Sequence, residues 1–340
     1  MSDASRIDEL IYDPPLISTR TIASIEDAKN DPTSLSLGVY GLDGYVMARK
    51  SKVNGILADT SQGKTSFMTA VARNFASQID ADNGEIGVYI TWEDNIEDFG
   101  LSDIANFSKI PLASLYHGDV KEHQFNRLIS AAAARAKMPV WLIGHSEKSG
   151  ARARMTMTDV WAALENLKAK QGRKIRFVMM DYLQRINRDD QRGEREARLQ
   201  YSAVMDSVKD MTLAYQPATF IGTQVKRDKV ESTKWRQPQI HWAMETANFE
   251  HTCDGAISLW MPVKTKEHYK VGDCLQEKRG VDAEAVFVSD ELIFAEVLKQ
   301  KKSKSGKLIA LDFVPEYNEF MRYGEAQQYR ENTKKDYGDA

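Results

Sequence analysis

The chain has 340 residues, 42% of them hydrophobic and 28% charged, ordinary globular usage that excludes a peptide, a wholly disordered chain and a disulfide-stapled miniprotein. Its 46 Lys and Arg nearly balance 49 Asp and Glu, for a formal charge of -3, so any nucleic-acid contact must rest on local basic loops rather than on net charge. Two cysteines, Cys253 and Cys274, are too few for a disulfide framework or a four-cysteine zinc site and read as reduced thiols.

Residues 1–36 are polar, contain Pro14, Pro15 and Pro32, and show only a short helical pattern around Ile7, Leu10 and Ile11; they read as an N-terminal arm. The first residues lack the basic start and apolar run of a signal peptide, and no stretch reaches the roughly 18 apolar residues of a membrane span. The expected location is therefore cytoplasmic, with no membrane contact.

From there short apolar runs alternate with longer amphipathic stretches. The spacing predicts strands at 53–58, 86–92, 140–143, 177–180, 219–222 and 256–260, with helices at 64–77, 122–136, 158–170 and 196–213. Three later alternating segments, at 285–288, 294–298 and 308–313, read as antiparallel strands added at one end of the sheet. The fold class is α/β: a mostly parallel sheet flanked by helices. Residues 323–340 are charged and nearly free of aliphatics, and read as a flexible tail.

Between the first predicted strand and helix stands Ala58-Asp59-Thr60-Ser61-Gln62-Gly63-Lys64-Thr65, followed by Ser66. This is the setting of a phosphate-binding loop. Successive backbone N–H groups and the helix N-terminus point at phosphate oxygens, the lysine reaches the β- and γ-oxygens, and the Thr65 hydroxyl binds magnesium. Ala58 stands where such loops usually start with glycine, and it is small enough to fit.

A magnesium nucleotide also needs a carboxylate. Asp181 supplies one at the end of the apolar run Phe177-Val178-Met179-Met180; standing alone, it would read equally as a helix cap or a strand-end aspartate. Glu93 ends the run 86–92, where a carboxylate can polarise an attacking water, with Asp94 as the competing candidate. Gln224, at the tip of the strand near 219–222, can sense a γ-phosphate and pass its state to the following loop. Its alternative is a solvent-facing polar residue.

With these residues in place a family resemblance emerges. Asp181-Tyr182-Leu183-Gln184 after an apolar strand resembles the Walker B region of bacterial and phage replicative DNA helicases of the DnaB type. Residues 105–119 with Gln124-Phe125 resemble that family's helical stretch. Gly222-Thr223-Gln224-Val225-Lys226-Arg227 is similar to its Ser-Gln-Leu-Asn-Arg motif. Residues 238–254, with Glu245, Glu250 and Asp254, match the spacing of its Arg-Glu-Ser-Gly segment, although Ala247 replaces the glycine. Lys299-Gln300-Lys301 and Gly306 resemble its Lys-Gln-Arg hairpin. The similarity runs from about residue 37 to 320.

The resemblance implies a RecA-like P-loop motor domain over 37–322, a homohexameric ring, Mg-ATP at subunit borders and single-stranded or forked DNA in the channel. It implies a primase and a helicase loader as partners, in a bacterial cell or a phage-infected host. It assigns Lys64 and Thr65 to phosphate and metal, Asp181 to magnesium, Glu93 to the attacking water and Gln224 to coupling. For the trans-acting role of the family's arginine finger the chain offers Lys301, with Lys299 as the alternative; a lysine is a point charge without a bidentate fork. A second reading is a RecA-like, DNA-dependent ATPase for recombination or partner loading that does not unwind. A third is a regulatory ring without DNA.

Two loops are the candidates for DNA. Residues 185–198 carry five arginines against four acids, a net +1, and residues 224–236 carry five basic residues against two acids, a net +3, together with Trp235. Phosphates attract such charge without sequence preference, and an aromatic can stack on a base. By composition alone either loop reads equally as solvated surface; the family position favours the second. The candidate contacts are Arg188, Arg192, Lys226, Arg227, Lys229, Lys234 and Arg236. None of the six histidines has a paired ligand spacing, so no metal beyond magnesium is expected.

Overall fold

Near-continuous apolar runs bury both faces of a strand, and six such runs build the centre of this fold. The computed structural model describes residues 13–30, 34–46, 48–149, 155–186, 194–226, 235–243, 246–265, 268–275, 285–301 and 305–338. Its principal strands are Lys52–Ala58 (β1), Glu85–Thr91 (β2), Val140–Ile143 (β3), Lys174–Asp181 (β4), Ala218–Gln224 (β5), Gly255–Trp260 (β6), Leu292–Gln300 (β7), Lys307–Val314 (β8) and Glu319–Arg322 (β9). They form one sheet in the order β9-β8-β7-β6-β1-β5-β4-β2-β3. The six strands from β6 to β3 are mutually parallel, and β7, β8 and β9 add antiparallel to the β6 edge.

The main helices are Pro14–Asn30 (α1), Lys64–Ala76 (α2), Ile96–Ser108 (α3), Phe125–Lys137 (α4), Met157–Glu165 (α5), Glu194–Tyr215 (α6) and Ala326–Tyr337 (α7). Alternation along β1 sends Ile56 and Ala58 to one face, with Phe67, Val71 and Phe75 of α2. Val53 and Leu57 go to the other, with Val160 of α5 and Val204, Met205, Val208 and Met211 of α6. β1 lies between β5 and β6, where the order of strands reverses, and in such sheets ligands bind beyond the C-terminal strand ends at that point.

Three expectations differ from the structure. Of the segment expected as a strand at 285–288, only Val286–Phe287 is extended, and it pairs with Cys274–Leu275 in a separate two-stranded ladder. The main sheet instead ends on β9, too short and polar to announce itself; Asn318, at a φ of 46°, turns the chain into it. Residues Ala326–Tyr337, expected as part of a flexible tail, form a docked helix. The Asp312 carboxylate on β8 accepts the N–H groups of Gly324 (2.9 Å) and Ala326 (3.0 Å). Arg330 reaches Glu291 (2.7 Å) and Glu316 (3.0 Å). These acids are distant in sequence, so local composition could not show the docking.

The helical pattern expected around Ile7 to Ile11 lies outside the described residues. Among the described residues of the arm a helix begins at Pro14, where prolines forfeit only first-turn N–H groups that have no intrahelical partner. Asp13 caps it, accepting the Leu16 N–H at 2.8 Å.

Gly87 on β2 faces Phe177 on β4 in direct register, and a β-carbon at position 87 would overlap the Phe177 ring. Gly87→Ala should therefore destabilise the protein by about 1–3 kcal/mol through overpacking, read as a lower urea midpoint, and Phe177→Leu in the same chain should recover most of the loss.

Candidate functional site

β1 ends at Ala58, buried between Gln224 on β5 and Leu259 on β6. The next five residues wrap around the start of α2 by placing Ser61 (φ 62°) and Gly63 (φ 79°) in the left-handed region. Gly63 caps α2 without a side-chain hydrogen bond, so the first-turn N–H groups face the loop's own concavity. Gln62 points the other way: its buried side-chain oxygen accepts the Met261 N–H at 2.6 Å, bracing the loop against the end of β6. Thr60 N–H donates to Asp59 Oδ1 at 2.7 Å.

The loop's reactive side chains converge on Asp181. The Lys64 ammonium pairs with Asp181 Oδ1 and lies 4.3 Å from the centre of the Tyr182 ring; the Asp181–Tyr182 peptide bond is cis. The Thr65 hydroxyl donates to Asp181 Oδ2 at 2.6 Å, and the Tyr89 hydroxyl donates to the same oxygen at 3.1 Å. Lys64 is 8% exposed and Asp181 2%, so this pair is desolvated. Burial, then the neighbouring Asp181 charge, pushes the Tyr89 hydroxyl well above its ordinary range and keeps it a donor. The Thr65 and Asp181 oxygens are hard donors side by side, a set that suits magnesium, which takes one or two protein oxygens and completes its shell with phosphate and water.

Thr91, at the end of β2, shapes the turn that carries the two candidate carboxylates. Its hydroxyl donates to the Asp94 carbonyl (2.9 Å) and accepts the Asp94 N–H (3.1 Å). Glu93 is exposed and Asp94 half-buried. The Asp94 carboxyl is pushed up to about 6, first by burial and then by Asp181, Glu93 and Asp98, with Lys64 acting against them.

One cleft of about 380 Å³ brings these parts together: Asp59 to Ser61, Gly63 to Ser66, Glu93, Asp94 and Gln224 all line it. It joins a cavity of about 330 Å³ that shares Thr65, Ser66 and Asp94 and continues to Tyr116 and Asn318. Three contributors to the site escaped the sequence reading. Lys264 and Asp290 line the cleft from turns far apart in the chain, with no local signal. Gln184 ties the end of β5 to the chain after Asp181, its Nε2 donating to Thr223 Oγ1 (2.7 Å) and its Oε1 accepting the Gln224 N–H (3.2 Å). Its place in the Asp181-Tyr182-Leu183-Gln184 run was the available signal.

Lys301 does not enter this cleft. β7 runs antiparallel to β6, pairing Gln300 with Gly255, while the loop leaves β1 opposite Leu259. Lys301 therefore sits about 15 Å down the sheet at roughly 3.3 Å per residue. Of the expected DNA contacts, Arg188, Arg192, Arg227, Lys229 and Lys234 lie outside the described residues. Lys226 donates its N–H to the Trp242 carbonyl at 2.9 Å. An Arg236 guanidinium nitrogen lies 3.4 Å from His268 Nε2. Trp235, expected to stack on a base, packs against Trp260 and Phe294, with ring centres 4.8 and 5.5 Å away, and stays partly exposed.

The family model of the DnaB-like helicase C-terminal domain matches residues 35–322. No curated protein matches the chain. Among solved structures, an isolated ATPase domain is 18% identical with a TM-score of 0.71, the match covering 91% of this chain and 99% of that one. A DnaB-like replicative helicase, solved in a study of its interactions with primase, is 18% identical with a TM-score of 0.70, covering 94% and 70%.

Gly222 on β5 leaves room for the buried pair: a β-carbon there would stand 3.1 Å from Lys64 Cδ and 3.2 Å from Asp181 Oδ1. Gly222→Ala should displace Lys64 while leaving the sheet intact. The expected result is a melting temperature within about 3 °C of the wild type and affinity for a fluorescent ATP analogue reduced roughly tenfold.

Proposed function

The chain belongs to the family of DnaB-like helicase C-terminal domains, and from that premise we propose that it is an ATP-dependent replicative DNA helicase motor. Six copies form a ring, hydrolyse Mg-ATP at their borders, translocate on single-stranded DNA and open duplex at a fork. The observation that carries this reading is the convergence of Lys64 and Thr65 on Asp181 in a cleft also lined by Glu93 and Gln224.

Each side chain has a role that follows from its place. The first-turn N–H groups of α2 and the Lys64 ammonium bind the triphosphate, whose oxygens compete with Asp181 for that ammonium. Thr65 and Asp181 would hold magnesium, which would supply charge neutralisation for phosphoryl transfer. Glu93, exposed to the cleft, orients the attacking water and accepts its proton. Asp94, whose carboxyl is pushed up to about 6, is the competing base. Gln224 meets the γ-phosphate, and Gln184 couples its backbone to the Asp181 segment. Such catalysis is mainly positioning and charge neutralisation.

Lys301 acts in trans, on the nucleotide of the adjoining copy. The basic segment 224–236 faces the channel and binds DNA phosphates. Helix α1 leaves Leu16, Ile17, Ile22 and Ile25 exposed, which supports packing of the arm on a neighbouring copy. Contacts with primase and a loader belong to the same proposal.

Lys64→Ala should lower single-strand-stimulated ATP turnover by at least about 100-fold, and Glu93→Gln should lose turnover to a similar degree while retaining nucleotide binding. Wild-type turnover in Lys64→Ala would overturn the P-loop assignment. Light scattering beside a fork-unwinding assay tests the ring: a six-subunit mass with strand displacement is expected. Turnover on DNA without displacement would favour the recombination or loading ATPase instead.

A further inference from the structure

At the end of the sheet remote from the cleft, four lysines gather around the start of β6. Among them, Lys301 and Lys299 differ in what holds them. The Lys299 ammonium donates to the Glu250 carbonyl at 2.5 Å, whereas the Lys301 ammonium pairs with Asp254 Oδ1 at 3.1 Å. Asp254 is 7% exposed and is fixed on every side. Its N–H donates to the Val53 carbonyl (2.7 Å) and its carbonyl accepts the Lys301 N–H (3.0 Å). Its Oδ2 accepts the Val53 N–H at 3.2 Å and pairs with Lys209 of α6 at 3.0 Å. Lys52 stands 3.8 Å from Oδ1.

We propose that Asp254 is a positioning residue that aims Lys301 at the nucleotide of the adjoining copy, an inference that rests on the trans role of Lys301 given above. The backbone bond from Lys301 to Asp254 pins the root of the side chain to the sheet, and the ion pair restrains its tip. A lysine side chain has much rotamer freedom to lose, so restraint beforehand lessens what is lost when a phosphate captures it. The restraint is also releasable. The Lys301 side chain is 49% exposed, and ion pairs involving such exposed groups are weak.

When Lys301 swings to a triphosphate, Asp254 keeps Val53 and Lys209 and is not left as an unpaired buried charge, the costly outcome for a buried ion. Burial pushes the Asp254 carboxyl up, but Lys209, the Val53 N–H and Lys301 together outweigh it and hold the group below the ordinary carboxylate range. The anchor therefore stays charged near neutral pH. Asp254 also selects between the two candidate trans residues: Lys301 has the exchangeable ionic partner and a backbone fixed at the same residue.

The test is steady-state ATP turnover of the full chain on single-stranded DNA, with kcat and KM read separately, for Asp254→Asn, Lys301→Ala and the double variant. Asp254→Asn should lower kcat roughly tenfold with KM changed less than about twofold, and it should cost nothing further in the Lys301→Ala background. Asp254→Glu, which keeps the charge and guards against a folding failure, should fall between the wild type and Asp254→Asn. Mixing Asp254→Asn subunits with Lys64→Ala subunits, whose Lys301 is intact, should raise turnover per intact P-loop toward the wild-type value. Multiplying losses in the double variant, or no recovery on mixing, would overturn the proposal. If Lys301→Ala keeps its kcat, the trans role itself falls. If Lys301→Ala loses kcat while Asp254→Asn does not, only the positioning role falls.

Discussion

A lysine and an aspartate taken out of water together set the terms for the cleft end of this molecule. Either charge alone in that position would cost several kcal/mol, and the surroundings are arranged so that neither is alone. The Thr65 and Tyr89 hydroxyls complete the Asp181 carboxylate, the Tyr182 ring covers the Lys64 ammonium, and the missing side chain at Gly222 gives both of them room. The pair also fixes the spatial relation of three strands, since Lys64 follows β1, Tyr89 lies on β2 and Asp181 ends β4. A site assembled from so many elements forms only with the whole sheet, and in the proposed function a triphosphate would meet a lysine already desolvated and aimed.

The two ends of the sheet hold different chemistry. The C-terminal ends of β1, β2, β4 and β5 carry the phosphate loop, the acids and Gln224; the other end carries Asp254 and its lysines. No bending of one copy brings Lys301 to its own Lys64, because several rigid strand residues separate them. On the proposed trans role of Lys301, a reaction that uses both would borrow one from another copy, and catalytic competence would then be a property of the border between copies.

Much of the fold was legible because a strand buried on both faces leaves an unmistakable record: all six parallel strands appear as short apolar runs, and the phosphate loop sits where strand turns to helix. The helix positions at 64–77 and 196–213 followed from periodicity and differ from α2 and α6 by a residue or two at most ends. What local patterns could not show depends on partners distant in sequence. The docking of α7 needs Asp312, Glu291 and Glu316. Lys264 and Asp290 reach the cleft only because β6 and β7 are neighbours. Trp235 read as a base-stacking aromatic because its loop is basic; its packing against Trp260 and Phe294 depends on strands distant in sequence and had no local signal.

The arm illustrates a different dependence. All the described side chains of α1 are exposed, and its sequence, with the β-branched Ile17, Thr19, Thr21, Ile22 and Ile25, is a poor helix former on propensity alone. A helix of 17 residues with that composition is marginal in water; what can sustain it is apolar surface from elsewhere. If that surface is a neighbouring copy in the proposed ring, arm helicity and ring assembly become one equilibrium governed by protein concentration, and dilution would unwind the arm as the ring comes apart.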